Sequence, residues 1–218
     1  MSTARGQPNL PAAEASVPAA QDLVCRAVAG VWRGILLPPM RVSERWVRPV
    51  VRVLPAAAAR LEAGAGPELD RSTLALWESW PDGMGDPPPA PPVRIVGFVA
   101  EGRWGQAVLT ATHLCGYAPS LVVRRSRPPE IRLAEADFHG ITVVVVRANG
   151  EPTVAVRGRS GPVPGAERTV AVRLLEEQMF AQLLDRDRES PASPADGTAL
   201  RLRLAELASD RRSAGGAA

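Results

Sequence analysis

The residues of this sequence best suited to chemistry are Cys115 and His139, a thiol and an imidazole. Such a pair transfers acyl groups when the imidazole takes the thiol proton and a third group orients the ring. Glu135 and Asp137 are the candidate orienting carboxylates. The helical spacing around Cys115 puts its thiol late in a helix, on the apolar side. We therefore predict that Cys115 packs in the core, and keep a thiol-dependent hydrolase or transferase using Cys115 and His139 as the alternative function.

Two weaker patterns concern metal and phosphate binding. His113, Cys115 and His139 offer three ligands, whereas zinc takes four, or three with a water. Only one further Cys or His exists in the chain, Cys25, and it is remote in sequence, so no metal site is predicted. The segment EGRWG at 101–105 lies between a predicted strand and a predicted helix, where phosphates bind helical N–H groups. It completes neither the dinucleotide nor the P-loop motif, so a tight turn is the interpretation and no cofactor is predicted.

Tryptophan and arginine together give the strongest indication of a binding surface. Five tryptophans stand beside three phenylalanines and one tyrosine, and arginines lie near several of them. Arginine stacks on indole rings, and both residue types are enriched in the energetic centres of protein interfaces. Core tryptophans flanked by solvated arginines are the alternative interpretation. The candidate interaction surface consists of Trp32, Arg45, Trp46, Arg48, Arg103 and Trp104.

Four serines are candidate phosphorylation sites. Ser190 and Ser193 precede prolines in a polar segment, which suits proline-directed kinases. Ser126 in RRSRP and Ser160 in RGRSGP lie among arginines, which suits basophilic kinases. Each phosphate would add about −1.5 to −2 charges beside these guanidinium groups.

The composition limits the class of protein and its partners. All 26 basic residues are arginine, and 23 acidic residues leave a net charge of +3, which does not favour nucleic acid as a partner. Coding bias in a GC-rich genome explains the absence of lysine, with selection of guanidinium for phosphate contacts as the alternative. No apolar run approaches the roughly 18–20 residues of a membrane span, so no membrane partner is expected. Two cysteines form no disulfide framework, which indicates a reducing compartment.

The apolar pattern predicts one α+β domain over residues 20–186, a mostly antiparallel sheet flanked by helices. The domain is predicted to contain a proline-rich loop at 82–92. Before and after the domain we predict a disordered tail at 1–19, a polar linker at 187–197, a C-terminal helix at 198–210 and a disordered tail at 211–218. Within the domain, residues 129–158 are predicted to be mostly extended. Their hairpin VVVVRANGEPTVAV turns at Asn149 and Gly150.

The last helix of the domain is predicted from an apolar stripe. Its members are Val172, Leu175, Met179 and Leu183, spaced to share one face. Glu176, Glu177 and Arg186 fall outside the stripe and are expected to face water.

The tryptophan-bearing segments also resemble a known family. The segments GVWRG at 30–34, VSERWVRP at 42–49, LALWESWP at 74–81, GFVAEGRWG at 97–105 and ATHLCGYAP at 111–119 look like those of the alphaherpesvirus nuclear phosphoproteins. The resemblance covers roughly residues 20–185. It implies a phosphorylated viral accessory protein of the host nucleus, with some in the cytoplasm, that binds other viral nuclear proteins and also host proteins. The family has no assigned enzyme activity, so we expect a non-enzymatic interaction protein.

Overall fold

The structure, a computed structural model, describes residues 17–81, 83–147, 149–166 and 168–189. Side chains are described for all of these residues except 17–21 and 189. The described residues form six helices and seven strands. The helices are α1 (Val17–Ala29), α2 (Pro55–Glu62), α3 (Arg71–Glu78), α4 (Trp104–Leu114), α5 (Glu130–Phe138) and α6 (Val170–Glu189). The strands are β1 (Ile35–Leu36), β2 (Met40–Val42), β3 (Arg45–Val53), β4 (Val93–Ala100), β5 (Ser120–Arg124), β6 (Thr142–Val146) and β7 (Pro152–Val156). The predicted α+β fold is confirmed.

The strands form one mixed sheet in the order β1-β3-β4-β5-β6-β7, with β2 paired to β3. Antiparallel pairs outnumber parallel ones, as predicted, because the strands on both sides of the parallel centre pair antiparallel. The centre is parallel: β4 pairs with β5 and β5 with β6. Each parallel step needs a crossover, and α4 and α5 supply the two crossovers.

Helices cover both faces of the sheet, and alternate strand residues point to opposite faces. Leu121 packs with α1, and the next residue, Val122, packs with α4 and α5. On that second face α6 lies against β3 and β4 and buries Met179 and Phe180 there. Both faces of the central strands are therefore buried, which explains why the sequences of these strands are nearly continuous apolar runs.

The segment at 129–158 corrects one prediction. We predicted it to be mostly extended, but Glu130–Phe138 is helix α5. The carbonyl of Pro129 accepts the N–H groups of Arg132 and Leu133, which opens the helix. Leu133 and Ala136 are buried against the sheet at a spacing of three residues. Ile131 and Phe138 are apolar but exposed, so the sequence does not show a clear helical period. The parallel pairing of β5 with β6 selects the helix.

Two hairpins turn where the backbone takes positive φ angles. The predicted β6–β7 hairpin is confirmed, with Gly150 at φ 83° and the Asn149 side chain accepting the N–H of Glu151. Asn149 itself is not among the described non-glycine residues with positive φ. The β2–β3 hairpin turns at Ser43 and Glu44, at φ 45° and 65°. The Ser43 and Tyr117 hydroxyls lie 3.1 Å apart and join this hairpin to the end of α4.

Helix α6 corrects a second prediction. Glu176 and Glu177 were expected to face water, but they are 2% and 0% exposed. Glu177 accepts hydrogen bonds from Arg60 of α2 at 2.6 and 2.9 Å and from Arg173 at 3.2 Å. A buried carboxylate is tolerated when its charge and lone pairs are matched in this way.

The ends of the described chain refine the predicted boundaries. Helix α1 begins at Val17, inside the segment 1–19 that we predicted to be disordered. Helix α6 continues to Glu189, inside the predicted linker 187–197. The predicted helix at 198–210 and the tail at 211–218 lie outside the described residues.

Candidate functional site at the carboxyl edge of the sheet

The three parallel strands end at one edge of the sheet, and arginines follow each of them. Because β4, β5 and β6 run in the same direction, the segments after Ala100, Arg124 and Val146 meet at this edge, called here the carboxyl edge. The arginines of the carboxyl edge are Arg103 after β4, Arg124 at the end of β5, Arg125 and Arg127 after β5, and Arg147 after β6.

On the face covered by α4 and α5, the edge is built around Trp104, the first residue of α4. Its indole N–H donates to the Glu135 carboxylate at 2.7 Å. The guanidinium carbons of Arg124 and Arg132 lie 5.4 and 5.9 Å from the ring centroid. These contacts hold the half-buried ring in place. The preceding residue, Arg103, is exposed. Trp104 is therefore a positioned part of the edge and not a free aromatic anchor.

Arg124 is a half-buried charge of this cluster without an ion pair among the described residues. Its Nη1 donates to the Gly102 carbonyl at 2.8 Å, and its buried Nη2 has no hydrogen-bond partner in the described part of the chain. Burial, and then repulsion by Arg132, lower the pKa of Arg124. Two guanidinium groups thus converge on one ring, which makes this side of the edge electropositive.

On the opposite face, which α1 covers, the same edge carries a cavity of about 310 Å³. Arg125 follows Arg124 directly, and the alternation of β5 sends its side chain to this other face. Arg26 of α1 and Arg147 after β6 join it in the lining. The other lining residues are Asp22, Leu23, Val146 and Gly150. Asp22 forms an ion pair with Arg26, one turn along α1.

No family model matches this chain, and no curated protein or solved structure matches it either. Over the ranges that the structure describes, no group of three or more His, Cys, Asp or Glu side chains is arranged to hold a metal ion. In the same ranges no helix is long and apolar enough to cross a membrane.

The predicted interaction residues Arg45, Trp46 and Arg48 lie together on the β2–β3 hairpin. Trp46 is 66% exposed, while its neighbour Val47 is buried beneath the hairpin. The cross-strand partner of Trp46 is Arg41, which is also exposed. Arg48 forms an ion pair with Glu101 at 2.9 Å and keeps only 13% of its side chain exposed. Trp46 is thus the one tryptophan of the described chain that is largely exposed.

The predicted surface is divided between the two faces of the sheet. Trp32 packs with the α1 side of the sheet, directly over Gly97, whereas Trp104 packs with the α4 side. The six predicted residues therefore do not form one continuous surface. Their sequence spacing gave no information on this, because the face of each tryptophan depends on sheet topology.

Cys115 and His139 come together, although 24 positions separate them. Cys115 follows α4, His139 follows α5, and both line one crevice with Arg159 and Ser120. The crevice measures about 10 Å³, which is the space of a single water. Cys115 is half-buried, less completely than a core residue. The arrangement brings the two groups near each other but leaves no room for a substrate.

Two of the four candidate phosphorylation sites lie within the described residues. Ser126 is exposed between Arg125 and Arg127, directly after β5. Ser160 is exposed in the loop after β7. Ser190 and Ser193 lie outside the described residues.

Sequence reasoning missed the cavity formed by Arg26, Arg125 and Arg147. A signal existed, because SLVVRR and VVVVR each end a predicted strand in arginine. That signal becomes informative only once both strands are known to be parallel. The predicted antiparallel arrangement would have placed these arginines at opposite edges of the sheet.

Proposed function

We propose that this protein is a non-enzymatic viral nuclear phosphoprotein that acts in the host nucleus by binding other viral nuclear proteins, and host proteins as well. The resemblance of its tryptophan-bearing segments supports the family and the compartment. The exposure of Trp46 supports the mode of action, and it is the observation on which this proposal rests.

Trp46 has the properties of an interface anchor. Met40, Val42 and Val47 bury the inner side of its hairpin, so the backbone that carries the indole is fixed. A rigid, exposed indole offers a large contact area at small entropic cost, and tryptophan is enriched among residues that dominate binding energies. Arg41 beside it pairs with Glu44 but stays exposed, so its other N–H groups can add hydrogen bonds to a partner.

Phosphorylation at Ser126 would act on the same molecule through charge. Its neighbours Arg125 and Arg127 belong to the carboxyl edge. A phosphate there would reduce the positive charge of the edge and compete for its guanidinium groups. Phosphate-sensitive mass spectrometry of the protein from infected nuclei tests this part of the proposal, with modification expected at Ser126 or Ser160.

The Trp46→Ala variant is expected to lose its protein partners without losing its fold. Tagged wild-type and variant proteins would be recovered from infected nuclei and their partners quantified by mass spectrometry. Removal of an anchor worth about 2 kcal/mol or more reduces recovery at limiting concentration by about thirtyfold or more. The matched control is Phe138→Ala, which truncates another exposed aromatic, on α5. Equal recovery by wild type and Trp46→Ala, or loss only with Phe138→Ala, contradicts the assignment.

The second candidate function is thiol-dependent hydrolysis or transfer by Cys115 and His139. The observation in its favour is that both residues line the same crevice. Such a function requires the crevice to open and the thiol to react readily near neutral pH.

Iodoacetamide labelling of the folded protein separates the two candidates, and the chain contains its own control. Cys25 on α1 is exposed, whereas Cys115 is half-buried. We expect Cys25 to be labelled first, Cys115 to be protected, and the two rates to converge in denaturant. If Cys115 reacts faster than Cys25 near pH 7 in the folded protein, the thiol is activated and the enzyme becomes the better proposal.

A further inference from the structure

The solvent-open cavity between α1 and the carboxyl edge has a composition that suits a doubly charged anion. Its three arginines come from three separate elements: Arg26 from α1, Arg125 from the segment after β5 and Arg147 from the segment after β6. Asp22 is the one carboxylate among the described lining residues, and it is already paired with Arg26. Arg125 and Arg147 have no ion pair or side-chain hydrogen bond within the described chain.

The charge and shape of the cavity identify the ligand more closely. Three guanidinium groups and one carboxylate leave two positive charges, and a phosphate monoester carries about −1.5 to −2 charges at pH 7. Guanidinium groups also match phosphate oxygens in bidentate geometry. Leu23 and Val146 add an apolar wall for the carbon atoms next to the phosphate.

We propose that this cavity binds a phosphate monoester, the group carried by a phosphorylated side chain or a small phosphorylated metabolite, through Arg125, Arg147 and Arg26. The site goes beyond the proposed function, because its lining residues lie apart from the Trp46 hairpin.

A nucleic acid fits these observations less well. Its phosphodiesters carry one charge each and follow one another along a strand, so they call for a stripe of cations. The exposed arginines of this cavity instead line one solvent-open volume of about 310 Å³, at the lower end of small-ligand pockets. The net charge of +3 for the whole chain also gives little long-range attraction to a polyanion.

The test is a titration of the full-length protein with inorganic phosphate, O-phosphoserine, a phosphoserine peptide, serine and a single-stranded oligodeoxynucleotide. The readout is the movement of the backbone amide resonances of Val146, Arg147 and Gly150. Arg125→Gln and Arg147→Gln are the test variants, and Arg94→Gln, an exposed arginine at the far end of β4, is the matched control.

We expect inorganic phosphate and phosphoserine to move these resonances, and serine to leave them unchanged. Each test variant should weaken phosphoserine binding by about tenfold, the effect of one charge-assisted hydrogen-bond pair, while Arg94→Gln should change it by less than about twofold. Binding should also weaken as the pH falls below about 6, where the monoester takes up a proton.

Stronger binding of the peptide than of free phosphoserine identifies a protein-borne phosphate, and equal binding identifies a small ester. The proposal is overturned if phosphoserine leaves the resonances unchanged, if Arg94→Gln weakens binding as much as the test variants, or if only the oligonucleotide binds. Trp46→Ala should retain phosphoserine binding, so failure here and failure of the proposed protein interaction are distinguishable.

Discussion

Replacing Glu177 with alanine is expected to lower the free energy of unfolding by about 3–5 kcal/mol, the cost of breaking a buried ion pair by removing one partner. Glu177 is fully buried and lies between Arg60 and Arg173, whose side chains are 6% and 3% exposed. It also accepts the backbone N–H of Glu68 at 3.1 Å. The variant leaves two guanidinium groups in the core without their shared carboxylate, and chemical denaturation measures the loss.

Position 176 provides the matched control on the same helix. Burial raises the pKa of the Glu176 carboxyl, and its ion pair with Arg168 offsets this only in part. The folded state therefore holds this proton more tightly than the unfolded state, so the associated stability is present below pH 4.5 and is lost as the pH rises through the folded pKa. Glutamine mimics the protonated form, so Glu176→Gln should cost far less than Glu177→Ala at pH 7. Equal losses at the two positions would show that the network is not centred on Glu177.

The Gly97→Val variant is expected to be destabilised by about 1–3 kcal/mol, as overpacked cores are. Strand propensity predicts the opposite result, because valine is a far better strand residue than glycine. A Cβ atom at position 97 would lie closer than 3.0 Å to three ring carbons of Trp32, which packs across β4 at this point. Thermal or chemical unfolding gives the sign directly, and a gain in stability would mean that Trp32 does not lie there.

Two further variants make the steric cause specific. Trp32→Leu in the Gly97→Val background removes the opposing ring, so the two substitutions together should cost less than the sum of their separate effects. Gly105→Ala is the control, because a Cβ atom at position 105, in the first turn of α4, meets no atom within 4 Å. It should cause no loss of stability.

Local sequence signals specified most of the regular elements. VRIVGFVA is β4, SLVVR is β5, the Asp70 carboxylate accepts the Thr73 N–H at the start of α3, and Gly150 turns the β6–β7 hairpin. These features depend on side-chain alternation, capping and φ preferences, which act over a few residues. The same signals did not identify α5, whose amphipathic face consists of little more than Leu133 and Ala136.

The sequence by itself determined that this chain forms one α+β domain with a buried, valine-rich sheet. It also determined that only a few cysteines, histidines and tryptophans are candidates for chemistry or binding. Only the tertiary structure decided that the central strands are parallel, that Trp32 and Trp104 lie on opposite faces, and that Glu177 is a core residue. It also brought Arg26, Arg125 and Arg147 around one cavity. The physical reason is that a strand or helix forms from neighbours in sequence, whereas the direction of a strand and the partner of a buried charge depend on residues up to 117 positions away.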